Sequence, residues 1–167
     1  MNAALKPDWI REEAERQEHQ TLQARADNDS NAIAELTIKA EAPEFWRQFV
    51  KELALAAEGL TDLSNLSGNI LHRPSEAESH CRVSVQLFGA IARQTYTDLF
   101  HAANSLVVRC HTLGGKAFPL HFSVRPDGRG IGLIASDGFA VMNPEKAAEY
   151  IVRPMMQWVL GSAVSLY

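Results

Sequence analysis

The sequence predicts an α+β protein in which an antiparallel β-meander of four to five strands is packed by an amphipathic helix before it and a C-terminal helix after it, with an extra acidic N-terminal helix. Apolar residues recur every three or four positions from residue 45 to 60, which is typical of one side of a helix. From residue 80 they alternate with a period of two, which is typical of strands. Asn143-Pro144-Glu145 then provides a cap, a first-position proline and a first-turn acid for the last helix.

Size and composition favour one domain. The chain has 167 residues, of which 46% are hydrophobic and 22% charged, enough to form a core. We therefore predict a single α+β domain over residues 41–167, preceded by an acidic helical arm over residues 1–40. The net charge of −4 argues against a wholly basic nucleic-acid-binding protein.

The acidic arm is poor in large apolar residues. Asp8 can cap a helix over residues 8–26, but only Trp9, Ile10 and Leu22 within it are apolar and larger than alanine. The polar run 27–31 is predicted to end this helix, and residues 32–40 fit either a helical turn or a short strand. Because a helix of this length is marginal without packing, we expect the arm either to fray or to be ordered by a partner or a second copy of the chain.

The second helix is predicted to begin at Pro43 and to be buried along one side. The buried side comprises Phe45, Trp46, Phe49, Val50, Leu53, Ala56, Ala57 and Leu60. The connection 61–79 contains one short strand at 69–72.

Alternation in the remaining chain assigns inward and outward residues. The predicted inward residues are Cys81, Val83, Val85, Leu87, Leu106, Val108, Cys110, Phe118, Leu120, Phe122, Val124, Ile131 and Leu133. Turn sequences at 126–128 and 136–138 join consecutive strands, which predicts an antiparallel meander. Residues 90–103 fit either a helix or a strand.

The outward positions of these strands form a candidate basic face. Its residues are His80, Arg82, Arg109, His111, His121 and Arg125, and no acidic residue is expected among them. Residues 1–78 hold 15 acidic and 8 basic residues for a net −7, whereas residues 79–167 hold 5 and 8 for a net +3. The face could be merely solvated, could be covered by the acidic arm, or could bind an acidic peptide or a small anion. Nucleic acid is disfavoured, because no exposed Phe, Tyr or Trp is expected on the strands for stacking.

No motif predicts catalysis, a metal or a cofactor. The glycine-rich run 128–132 precedes a strand, whereas a phosphate-binding loop precedes a helix. Cys81 and Cys110 are predicted to point inward while the adjacent His80 and His111 point outward, so the four do not converge on one metal unless a bulge interrupts a strand. No secretory signal and no 18-residue apolar run is present, so we expect a cytoplasmic protein without a membrane partner.

These observations predict a non-enzymatic cytosolic protein-interaction or adaptor module that forms a homo-oligomer. The alternative is a protein or enzyme that binds a small anionic ligand through the basic face. Candidate interface residues are Trp9 and Ile10 in the arm, and Met155 and Trp158 in the last helix. The apolar C-terminal residues, including the tail residues Val164, Leu166 and Tyr167, are expected to pack on the sheet, and those left over could extend that interface.

Overall fold

A computed structural model describes residues 8–63, 65–113, 119–138 and 140–161. It has a helix, a six-stranded antiparallel sheet and a second helix, which confirms the α+β prediction with six strands rather than four to five. The elements are α1 (Asp8–Thr61), β1 (Leu66–Arg73), β2 (Glu78–Leu87), β3 (Arg93–Ala102), β4 (Val107–Thr112), β5 (Leu120–Val124), β6 (Ile131–Ala135) and α2 (Pro144–Val159). Contacts divide the chain into two compact units, one ending at Leu36 and one beginning at Thr37.

The first helix is continuous from Asp8 to Thr61, so the predicted break at residues 27–31 and the predicted start at Pro43 are both wrong. Residues such as Asp and Asn each cost at most about 0.7 kcal/mol in a helix interior, which is too little to end a long helix. Pro43 removes one backbone hydrogen bond, but Phe45 and Trp46, on the turn that follows it, are buried. Packing at those positions therefore offsets the local cost of the proline.

The sheet is a meander in which each strand pairs with the next one along the chain. The short strand expected at 69–72 is part of β1, and the ambiguous segment 90–103 contains a strand, β3. In β3 the inward residues are Thr95, Thr97, Leu99 and His101, each at most 3% exposed. Its alternation was therefore hard to see in the sequence, because three of these four residues are polar.

One face of the sheet is packed against α2 and the part of α1 after residue 37. The ring of Phe45 in α1 meets that of Phe122 in β5 edge-on at 5.5 Å between centroids. From α2, the sulfur of Met155 lies 3.3 Å from Oγ1 of Thr97 in β3. Among the predicted inward residues, Leu87, Leu106, Cys110 and Val124 are half-buried, and Phe118 lies outside the described residues.

The second helix begins as predicted. The Asn143 side chain accepts a hydrogen bond from the Lys146 backbone N–H at 2.8 Å, and Pro144 occupies the first turn. The helix continues through Pro154, and Gly161 follows it with φ of +76°. The tail residues 162–167 lie outside the described part of the chain. In that part, no helix combines the length and the apolar character needed to cross a membrane.

Candidate functional site

The outer face of the sheet carries the predicted basic residues, but β3 lies between the strands that hold them. His80 and Arg82 belong to β2, and Arg109 and His111 belong to β4. The register sets Arg82 opposite Asp98 of β3, and Asp98 in turn opposite His111. An acidic residue therefore sits between the two basic pairs.

Two carboxylates neutralise much of this face, so the prediction that it contains no acidic residue is wrong. Asp98 accepts two hydrogen bonds from the Arg82 guanidinium, both at 2.8 Å, and its Oδ1 lies 2.7 Å from His80 Nε2. Glu78 of β2 accepts hydrogen bonds at 2.8 and 2.7 Å from Arg109. Asp98 was missed because β3 could not be assigned, and Glu78 because β2 begins two residues earlier than predicted.

The Asp98 pair is partly buried, which distinguishes it from an ordinary surface ion pair. The Asp98 side chain is only 10% exposed, although that of Arg82 is 42% exposed. The Arg82 hydrogen bonds lower the pKa of Asp98 against an opposing effect of burial, and His80 lowers it further. The pKa of Arg82 is raised by the same contact.

Two aromatic side chains, Tyr96 and Phe100, also lie on this face, and both are half-buried. The ring of Phe100 stacks on His80 at 4.7 Å between centroids, with 12° between the planes. The guanidinium carbon of Arg109 lies 5.1 Å from the centre of the same ring, and that of Arg82 lies 4.2 Å from the centre of the Tyr96 ring. Phe100 is flanked by its cross-strand neighbours from β2 and β4, so its stacking surfaces are occupied by the protein's own side chains.

The remaining predicted residues do not join this network. His121 in β5 is exposed and lies opposite Val107 and Ile134. His111 is exposed beside Asp98, and Arg125 follows β5 with its Nε 3.9 Å from Asp127. Arg125 instead lines a cavity of about 420 Å³ together with α1 residues including Glu41 and Glu44.

The predicted interface residues differ in exposure. Trp9 is 67% and Ile10 37% exposed. In α2, Met155 is only 1% exposed within the core, so it cannot contact another chain without unfolding of its surroundings, whereas Trp158 is half-buried. The cysteines are free, and burial raises the pKa of both Cys81 and Cys110 to about 12, which favours the protonated thiol at neutral pH.

A buried pair of rings on the inner face was not singled out from the sequence. Trp46 of α1 is 5% and His101 of β3 3% exposed, and their ring centroids lie 5.4 Å apart. Neither Trp46 Nε1 nor His101 Nε2 has a hydrogen-bond partner among the described residues. Burial lowers the pKa of His101, and a hydrogen bond to the Ser105 backbone opposes this in part. A histidine at an inward position of a strand could have indicated this buried pair. The inward positions of β3, however, can be recognised only after β3 has been assigned as a strand.

No family model matches the chain, and searches of curated proteins and of solved structures find no match either.

Replacing Asp98 with Asn is expected to lower the free energy of unfolding by about 2 kcal/mol at pH 7, because Arg82 and His80 lose a charged acceptor in a partly buried site. Because the folded pKa of Asp98 is lowered, its contribution is present above the unfolded value, ordinarily about 3.9, and disappears as pH falls through the folded value. Urea unfolding at pH 7 and near pH 2 checks both statements.

The matched control is Glu78→Gln, which removes the partner of Arg109 from a more exposed pair, with side chains 64% and 41% exposed. It is expected to cost less than about 1 kcal/mol. Two outcomes would contradict a larger contribution of the partly buried Asp98 to stability. One is an equal loss of unfolding free energy in the two variants, and the other is a loss for Asp98→Asn that does not become smaller in acid.

Proposed function

We propose that this protein is a cytoplasmic, non-enzymatic interaction module that self-associates through the N-terminal part of α1. The observation that supports this proposal is the exposure of large apolar side chains along residues 8–36. Trp9 is 67%, Leu22 54% and Leu36 68% exposed. Of the described residues in this unit, only Ala34 is partly buried and none is buried. Exposed apolar residues on a helix are typical of a contact surface for another chain.

Three of these residues and one alanine lie along one side of the helix. Leu22, Ala26, Ile33 and Leu36 follow each other at intervals of four, seven and three, the spacing of the seam in a coiled coil. We call this set the Leu22 stripe. Asp29 lies in the same line and interrupts it. A polar residue within a seam costs stability but favours one register of the two helices. A second copy of the chain offers a matching stripe, which makes self-association the most direct use of this surface.

Charge predicts how this association responds to salt. Residues 8–36 contain eight acidic residues and three arginines, a net charge of −5. Two such arms repel each other, and added salt screens the repulsion. The dimer should therefore become tighter between low and physiological ionic strength, which is the opposite of the response expected for anion binding to a basic surface.

The alternative function, a small anionic ligand or an enzymatic reaction on the His/Arg face, has less support. Arg82 and Arg109, two of its three arginines, are already bound to carboxylates. An incoming anion would have to compete with Asp98 and Glu78 for them.

Introducing charge into the Leu22 stripe tests the proposal. The double variant Leu22→Glu, Leu36→Glu is expected to raise the dissociation constant of the dimer about 100-fold or more, because each leucine contributes about 1.5–3 kcal/mol when buried. Sedimentation equilibrium of the full chain measures this change, and denaturant unfolding of the sheet domain checks that the fold is intact.

The control variant is Gln20→Glu, Asn31→Glu, which adds the same charge on the opposite side of the helix. It should shift the dissociation constant far less. A wild-type chain that sediments as a monomer at all accessible concentrations would refute the proposal, and so would equal effects of the two double variants.

A further inference from the structure

A groove of about 330 Å³ lies between α2 and the last part of α1, within the unit that begins at Thr37. Each helix contributes three apolar residues to its lining. These are Leu55, Ala56 and Leu60 of α1, and Ala148, Val152 and Met156 of α2. The groove shares no residue with the Leu22 stripe or with the basic outer face, so its use does not depend on the self-association proposed above.

The groove opens to solvent beside Leu55, which is 51% exposed. Ala56 and Met156 are half-buried, and Leu160, one turn after Met156, is 50% exposed. An open groove lined by apolar side chains is typical of a surface that receives another molecule. The groove is therefore a candidate docking surface.

Acidic residues flank the apolar lining on both helices. Glu52 lies on α1, and Glu145 and Glu149 lie on α2. Glu149 already forms ion pairs with Lys146, at 3.0 Å, and with Arg153. Glu52 and Glu145, in contrast, have no ion-pair partner within the described part of the chain. Each helix therefore contributes one unpaired carboxylate to the groove.

This charge favours a basic occupant, because charges across an interface select partners of the opposite sign and repel those of the same sign. The apolar arm of a second copy has a net charge of −5 over residues 8–36, so the two glutamates would repel it. Residues 162–167 of the chain itself have no charged side chain and cannot pair with the glutamates. The best match is a positively charged segment of another protein.

The walls of the groove also restrict the conformation of that segment. Its apolar lining residues lie within α1 and α2, where the backbone N–H and C=O groups bond to each other along the helix. The walls therefore offer no sheet edge to an extended segment, whose own backbone groups would lie unpaired against apolar side chains. A helical segment satisfies its backbone internally and can bury an apolar side here.

The dimensions of the groove suit a short helix. The lining residues of α2 extend from Glu145 to Met156, about 16 Å at 1.5 Å per residue, which is the length of a helix of about eleven residues. At about 30 Å³ per water-sized group, the groove holds roughly eleven such groups, the size of about three leucine side chains. Leucines at positions i, i+4 and i+7 of a helix span about 10 Å and fit within this length.

We propose that this groove binds a basic amphipathic helix of a partner protein. About three apolar side chains of that helix insert between α1 and α2, and lysine or arginine side chains beside them pair with Glu52 and Glu145. Such a partner is opposite in charge to the chain's own acidic arm, so binding of the partner and self-association use different surfaces.

Fluorescence anisotropy of a labelled synthetic peptide, titrated with the full chain at physiological ionic strength, tests the proposal. The probe is an alanine- and lysine-rich helix with leucines at i, i+4 and i+7. One comparison peptide has glutamate in place of every lysine, and another has alanine in place of every leucine. We expect the probe to bind saturably with a dissociation constant below about 100 μM, at least tenfold tighter than either comparison peptide.

Leu55→Lys should weaken binding of the probe about tenfold or more, because it places a positive charge among the apolar lining residues. Leu55 is half exposed, so the fold tolerates the change. The matched control is Leu36→Lys, at a position of the Leu22 stripe that is 68% exposed. It should leave binding of the probe unchanged, and it thereby distinguishes the groove from the acidic arm as the binding surface.

The double variant Glu52→Gln, Glu145→Gln tests the charge of the groove and should weaken binding of the probe about threefold or more. Its control is Glu58→Gln, Glu76→Gln, which removes the same charge at exposed positions outside the groove. This control should bind the probe as the wild type does.

Several results would overturn the proposal. They include a probe that does not bind below about 1 mM, a glutamate peptide that binds as tightly, and equal losses in Leu55→Lys and Leu36→Lys. Tighter binding of the probe by the variant Val164→Ser, Leu166→Ser would instead assign the groove to the chain's own tail. If Leu55→Lys sediments as a monomer while the wild type forms a dimer, the groove belongs to a second copy. A wild-type monomer that still binds the probe would refute only the self-association.

Discussion

Replacing Gly68 with alanine is expected to lower the free energy of unfolding by about 3 kcal/mol. A Cβ atom at Gly68 in β1 would lie 2.3 Å from the carbonyl oxygen of Ala57 in α1, and 2.7 and 2.8 Å from its Cα and carbonyl carbon. All three are backbone atoms, so no side-chain rotation can relieve the overlap. Strand and helix would have to separate, which opens the core beside Leu53 and Leu60.

Gly59→Ala provides the control for this variant. Gly59 lies in the same helix, two residues after Ala57, and a Cβ there meets nothing within 4 Å. Since alanine favours the helix over glycine by about 0.8–1.0 kcal/mol, this change should stabilise the protein. Urea unfolding of both variants measures the difference. If Gly68→Ala is within about 0.5 kcal/mol of wild type, the close approach of β1 to α1 is wrong.

Truncating Phe49 to alanine is expected to cost about 3–5 kcal/mol, a large part of the stability of a domain this size. The side chain is fully buried, with its ring centroid 6.4 Å from that of Phe45 and 6.0 Å from that of Trp46. Its removal leaves a cavity between rings that are fixed by the sheet on their other side, so the site cannot collapse to fill the space.

Leu55→Ala, six residues further along the helix, is the matched control. Leu55 is 51% exposed, and its truncation should change the free energy of unfolding by no more than about 0.5 kcal/mol. Both variants can be followed by far-UV circular dichroism during urea unfolding. Similar losses at the two positions would show that the buried side of α1 has been assigned incorrectly.

Features that depend on neighbouring residues could be predicted from the sequence. Asn143 caps α2 through a bond to a residue three positions away, and the inward positions of β2, such as Val83, follow from simple alternation. The continuous α1 could not be predicted, because the local cost of Pro43 is outweighed by contacts with distant strands, such as that between Phe45 and Phe122.

The outer face shows how one unassigned strand changes a site prediction. The basic residues were correctly placed on outward positions of β2 and β4, yet β3, whose inward side includes Thr95 and Thr97, was not assigned. Two residues of β3 were therefore missed as well. These are Asp98, which neutralises Arg82, and His101. Cross-strand pairs depend on the order of strands, and single-strand alternation carries no information about that order.

The position of α2 along the chain has a consequence for protein synthesis. Each hairpin of the meander pairs neighbours in sequence and can form as soon as it leaves the ribosome. The apolar side, however, also needs α2, which packs against β2, β3 and β6 and is made after all of them. Until residue 159 has left the ribosome, Leu99 and Leu133 are partly exposed to solvent. Nascent chains of this protein should therefore depend on chaperones more than the pairing of neighbouring strands alone would predict.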